Sequence, residues 1–190
     1  MYICPCIAYN KNTFTMEALP MKNIVLIGMP GTGKSTVGKA LAERFGYDFV
    51  DADDLIVQTT GKTLPEILRQ DGLEAFYEIE NKVGTDLNRT HTVIATGGSM
   101  VLYPEAMAHL KEGSTVIWLQ TPFSQLEKRM PADLYDRGIA VPAGTPLREI
   151  YEERCVLYAR YADLIVVSQD GESDTARLVE DVMRTVGLET

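Results

Sequence analysis

An α/β fold, with a parallel sheet covered by helices on both faces, is predicted by three observations. Short apolar or β-branched runs at 24–27, 48–50, 92–95, 115–119 and 164–167 alternate with stretches that mostly read as helical. Between the first run and the first helix lies Gly28-Met-Pro-Gly-Thr-Gly33-Lys34-Ser35, a glycine-rich turn at a strand-to-helix junction. The chain has 190 residues and 45% apolar content, enough for one domain with a proper core.

In chain order, Ile24 to Ile27 is the first strand and stops at Gly28. Val37, Ala40, Leu41 and Arg44-Phe45 then recur at helical spacing, with Gly46 as terminator. The turn between them has the pattern G-x-x-x-x-G-K-[ST]. Its glycines let consecutive N–H groups converge on phosphate oxygens, and the helix presents its positive end to the same anion. Lys34 would reach the outer phosphates and the Ser35 hydroxyl would hold magnesium. Nucleotide binding follows from this loop; the acceptor of the phosphate does not.

Asp48-Phe49-Val50 is a second strand leading into Asp51-Ala-Asp53-Asp54. Alternation along the strand end would point the Asp51 and Asp53 carboxylates the same way, at the sheet edge where open α/β folds bind ligands. One could hold magnesium and the other accept a hydroxyl proton; a solvated acidic turn is the plainer alternative. Thr63-Leu-Pro-Glu66 reads as a capping box. Thr121-Pro122 and Thr145-Pro146 each read as an N-cap followed by proline at N1. Thr96-Gly97-Gly98-Ser99 follows the strand at 92–95 and permits close backbone approach to a ligand. Residues 130–146 form a long loop rich in Gly, Pro and small residues between two helices, the expected lid.

Two helical stripes carry charges where apolar residues are expected. Glu80 falls on the stripe of Leu73, Phe76, Tyr77, Val83 and Leu87. Arg154 falls on that of Leu147, Ile150, Tyr151, Leu157, Tyr158 and Tyr161. Charged residues are almost never fully buried unless paired. Either Glu80 and Arg154 form a buried ion pair, or both stripes line a polar cavity for a small hydroxylated or anionic ligand.

The formal net charge of -9 argues against a nucleic-acid or anionic-membrane partner. No apolar run approaches the roughly 20 residues that span a bilayer. Cys4, Cys6 and Cys155 form neither a disulfide framework nor a metal-ligand set, so a reducing, cytoplasmic location is expected. Cys155 is read as a small core residue in preference to a reactive thiol. Residues 1–20 lack a periodic pattern and the features of a secretory signal. They are expected to be a poorly packed extension, with Met21 at the start of the compact domain that runs to 190.

Together these residues resemble the shikimate kinase family over 22–186. The resemblance rests on GMPGTGKS and on FVDADD at a D-x-D strand end. It continues through the TGK at 60–62, DGLEAFYEIE, VIATGGS and EERCVLYARYAD. It implies a three-layer P-loop kinase fold, a five-stranded parallel sheet in the order 2-3-1-4-5, with an acceptor-binding subdomain at about 51–85 and a mobile lid at about 130–146. It implies ATP and magnesium, and transfer of the γ-phosphoryl group to a hydroxyl of shikimate in aromatic amino-acid biosynthesis. A monomer is expected.

By position, Gly31, Thr32, Gly33, Lys34, Ser35 and Thr36 would cradle the nucleotide, with Arg129 packed on adenine. Ser35, helped by Asp51 through water, would hold magnesium. Asp53 would bind acceptor hydroxyls and act as base. Gly97 and Gly98 would contact the acceptor by N–H groups. Arg154 would hold its carboxylate, with Glu80 orienting the pocket. Lys34 and the lid's Arg137 would stabilise the transferring charge. Three positions depart from the family pattern. Phe76-Tyr77 stands for Phe-Arg in the acceptor pocket, Ser99 for a third glycine, and Asp-Arg137-Gly-Ile for the lid's Arg-Pro-Leu-Leu. Because a phenol at Tyr77 lacks the guanidinium's charge-assisted contact with the acceptor carboxylate, a related polyol or cyclitol is an alternative acceptor. A non-catalytic nucleotide-binding regulator is a second alternative; the retained Lys34, Ser35, Asp51 and Asp53 argue against it.

Overall fold

The computed structural model describes residues 23–131, 133–168 and 175–186. The extension expected at 1–20 lies outside them. Five parallel strands, β1 (Asn23–Ile27), β2 (Asp48–Asp51), β3 (Thr92–Ala95), β4 (Ser114–Gln120) and β5 (Leu164–Val167), pair in the order 2-3-1-4-5. Helices α1 (Lys34–Phe45) to α8 (Thr175–Thr185) cover both faces. Between α1 and α8 come α2 (Ala52–Thr60), α3 (Leu64–Gln70), α4 (Leu73–Asp86), α5 (Pro104–Lys111), α6 (Phe123–Arg129) and α7 (Leu147–Tyr161).

Period-two alternation in β1 explains the layers. Val25 and Ile27 face a core shared with Ile94, Val116, Trp118, Met107 and Tyr158. Ile24 and Leu26 face the opposite core, with Leu41, Val93, Ile117, Val166 and Val182. A satellite cluster of Ile56, Ile67, Leu68 and Phe76 joins α2, α3 and α4, and Ala140 of the 130–146 loop completes it. This cluster ties the loop to the region about 51–85.

Thr63 caps α3 in a full capping box with Glu66, as its spacing predicts. Two other local expectations are corrected. Pro122 and Pro146 are themselves the N-cap residues, with extended ψ of 144° and 138°, so α6 and α7 each start one residue later. Proline fixes φ and leaves ψ free. The threonines before them are engaged elsewhere: Thr121 Oγ1 accepts from Ser168 Oγ, and Thr145 Oγ1 donates to Pro142 O. The second correction concerns Asp51 and Asp53, which do not alternate along one strand. β2 ends at Asp51, whose Oδ1 accepts the N–H of Asp53 at 3.0 Å and caps α2. Helix capping outcompetes one further residue of extended chain.

Candidate active site

The phosphate loop joins β1 to α1 at the C-terminal edge of the sheet. Gly28 sits at φ 147°, and a Cβ there would lie 2.6 Å from Leu119 O, so only glycine fits against β4. Gly33, at φ 89°, caps α1 without a side-chain bond, and the first turn of the helix carries no acidic residue. Lys34 is buried, and its Nζ donates to Gly28 O at 2.8 Å and Met29 O at 2.9 Å. The loop thus curls around its own ammonium group. Ser35 and Thr36 stand exposed at the head of α1, while Thr32 is buried with Oγ1 unpartnered.

A cavity of about 240 Å³ runs from this loop to α4 and α7. It brings together Gly31, Gly33, Lys34, Ser35, Thr36, Asp53, Glu80, Gly97, Gly98, Arg137 and Arg154, eleven of the residues singled out from sequence. Asp51, Thr32, Tyr77 and Arg129 are not in its lining. Asp51 caps α2. Arg129 Nη1 donates to Gly31 O at 3.2 Å, behind the phosphate loop, and receives at its own carbonyl a bond from Arg137 Nη1 at 3.0 Å. Tyr77 packs edge-on against the ring of Tyr103, with centroids 6.0 Å apart.

The Gly97-Gly98 turn is held closely on both sides. A Cβ at Gly97 would overlap Glu80 Oε1 and come within 3.0 Å of Asp53 Oδ1, so the two carboxylates converge on that backbone. A Cβ at Gly98 would meet Pro30 Cδ at 2.6 Å, and Gly98 O accepts from Tyr158 OH at 2.6 Å.

Glu80 and Arg154, 1% and 2% exposed, share the cavity without forming an ion pair. Arg154 Nη2 donates to Ala140 O at 2.7 Å, and none of the ion pairs among the described residues includes it. Both charged side chains thus line one cavity in place of forming the ion pair. Glu80 Oε2 accepts from Ser99 Oγ and Tyr103 OH, two residues the sequence reading did not place in the site. The one available signal was Ser99 interrupting a run of glycines.

The electrostatics are those of a charge-dense pocket with buried ionisable groups. Burial, aided by the neighbouring charge of Asp51, pushes the Asp53 carboxyl up to about 6 against the pull of Lys34. Burial lowers Lys34 to about 8, opposed by Asp53 and Asp51. Glu80 is pushed up to about 7 by burial against the Ser99 hydrogen bond that favours its charged form. An anion-binding loop, a partly desolvated carboxylate near neutrality and a buried guanidinium in one cavity suit phosphoryl transfer to a small anionic alcohol.

Known proteins resemble this chain in sequence and fold. The family profile described as shikimate kinase matches residues 30–186. A shikimate kinase from a Synechococcus species is 41% identical over 168 residues, covering 86% of this chain and 85% of its own. The shikimate kinase of Acinetobacter baumannii, solved in complex with shikimate, superposes with a TM-score of 0.75 at 26% identity, over 88% of this chain and 94% of that one. The Aquifex aeolicus shikimate kinase gives 0.71 at 28% identity, over 87% and 96%. The phosphate loop and the strand order are thus those of the P-loop kinase fold, and the chain belongs to the shikimate kinase family.

Proposed function

We propose that the chain transfers the γ-phosphoryl group of ATP to a hydroxyl of shikimate. The observation that carries this reading is Arg154. A guanidinium buried in the cavity and outside every ion pair among the described residues is costly unless a ligand brings the counter-charge. The carboxylate of shikimate supplies it, and a neutral polyol does not.

In this reading Lys34 and the backbone of 31–36 hold the phosphates, and Arg129, bonded to Gly31 O, packs on adenine. Gly97 and Gly98 let the acceptor approach the backbone beside Asp53. As the acceptor oxygen bonds to the γ-phosphorus and the bond to the departing ADP breaks, Asp53 takes the hydroxyl proton. Arg137, on the lid side of the cavity, faces the charge that develops on the moving group. Magnesium takes oxygen ligands, which fits the exposed Ser35 hydroxyl and, through water, Asp51. When bound, it neutralises phosphate charge. A monomer in a reducing cytoplasm completes the reading, in line with a chain of three cysteines that suggests no disulfide framework.

A coupled ADP-release assay tests the reading. Saturable, magnesium-dependent turnover with shikimate is expected. Turnover with a non-carboxylate polyol and none with shikimate would overturn it.

A further inference from the structure

One cluster in the cavity has no part in the steps above. Glu80 Oε2 accepts two hydrogen bonds, from Ser99 Oγ at 2.6 Å and from Tyr103 OH at 3.0 Å, while its Oε1 is buried with no partner. Two positions where this sequence departs from its family's pattern meet here. Ser99 reaches Glu80 directly, and Tyr77 reaches it through the ring of Tyr103. Glycine at 99 would offer no hydroxyl, so that hydrogen bond belongs to this chain's own sequence.

Two donors on one oxygen fix the rotation of a carboxylate and decide where its other oxygen points. Glu80 Oε1 is thereby left beside Gly97, over the same stretch of backbone that Asp53 Oδ1 approaches. A buried acceptor without a donor is costly, and the cost is removed when a ligand brings a hydroxyl.

We propose that Ser99 and Tyr103 are positioning residues that hold Glu80 by Oε2, so that Oε1 receives a hydroxyl of the acceptor next to the one that Asp53 deprotonates. The acceptor taken here is shikimate, so this rests on the proposed function. Ser99 and Tyr103 set affinity for a polyhydroxylated acceptor, acting through Glu80 and leaving the nucleotide side untouched. Among the described residues, the donors to Glu80 are Ser99 and Tyr103, and neither belongs to the phosphate loop.

The test compares wild type, Ser99→Ala, Tyr103→Phe and Glu80→Gln, then each hydroxyl deletion combined with Glu80→Gln. Shikimate affinity is read by calorimetry, and kcat and the KM for ATP by ADP release. A hydrogen bond to a charged group is worth about tenfold in affinity or more. Ser99→Ala and Tyr103→Phe should therefore each weaken shikimate about tenfold, with KM for ATP near wild type and the thermal midpoint lowered by the lost buried hydrogen bond. In the Glu80→Gln background neither should cost a further tenfold, because residues that act through one partner are not additive. Tyr103→Phe keeps the ring packed on Tyr77, so it reads the hydroxyl alone should Ser99→Ala disturb the turn. Unchanged shikimate affinity in both single variants, or a full additive loss in the Glu80→Gln background, would overturn the positioning role alone. Wild-type protein that neither binds nor turns over shikimate would overturn both readings, and would do so before any variant is made.

Discussion

At Asp53 a carboxyl pushed up to about 6 stands near a Lys34 ammonium lowered to about 8, so both can be charged near neutrality. The pH dependence follows from the direction of these shifts. Below about pH 6 Asp53 holds its proton and cannot take another, so kcat/KM for shikimate should fall about tenfold per pH unit on the acid side. Asp53→Asn should lower kcat by about 10²–10⁴ and flatten that acid limb, since the amide accepts no proton. A variant that kept wild-type kcat and the same limb would remove Asp53 from the role of base. At this scale the sequence was most legible where function demands an identity, as at Gly33, Lys34 and Ser35. It was least legible in azimuth. Periodicity puts Tyr77 and Glu80 on one stripe of α4, and both meet Tyr103, yet Glu80 alone of the two lines the cavity. A stripe is broad enough for both directions.

The elements that matter most beyond the sheet are α3 and the segment at 134–141, which are far apart in sequence. Arg69 of α3 pairs with Asp133 at 3.3 Å and with Asp136, 67 residues away. Gly138, at φ 69°, packs its backbone on Leu64, where a Cβ would lie 2.5 Å from Leu64 Cβ. The same segment accepts the Arg154 hydrogen bond at Ala140 O and carries Arg137 into the cavity. No local pattern announces contacts of this range, whereas the capping box of α3 was readable because all its partners lie within four residues. Gly138→Ala tests whether this docked arrangement is the working one. A left-handed backbone and a filled contact together cost alanine at least about 1 kcal/mol. The change should lift the segment from α3, raise KM for both substrates and lower kcat at least severalfold. Arg69→Ala, which removes only exposed ion pairs, should do the same more weakly and lose its effect at high salt. Wild-type kinetics in Gly138→Ala would dissociate the docked segment from catalysis.

Taken as a whole, the molecule keeps several ionisable groups in or near one cavity, at a cost in stability that function explains. The five strands were legible because β1, β3 and β4 are nearly continuous buried apolar runs and helical stretches separate all five in sequence. The long-range pairing of hydroxyls with Glu80 was not. Glu80 shows the cost most clearly. In the unfolded chain it ionises near 4.5, while in the fold burial holds it to about 7. Below about 4.5 both states carry the proton and nothing is lost. As pH rises, the unfolded chain ionises first, so the native state loses stability progressively until about pH 7 and keeps that deficit above it. At 1.36 kcal/mol per pKa unit the deficit is of order 3 kcal/mol. Glu80→Gln keeps an amide oxygen for Ser99 and Tyr103 but never ionises. It should therefore be more stable than wild type in denaturant melts near pH 8, by roughly 2–3 kcal/mol on that reasoning. The two proteins should converge near pH 4.5, and a gap of equal size at both pH values would show that Glu80 is not held against its charge. Added shikimate should narrow the gap at pH 8 by stabilising wild type selectively, because the hydroxyl that satisfies Glu80 Oε1 favours the ionised carboxylate.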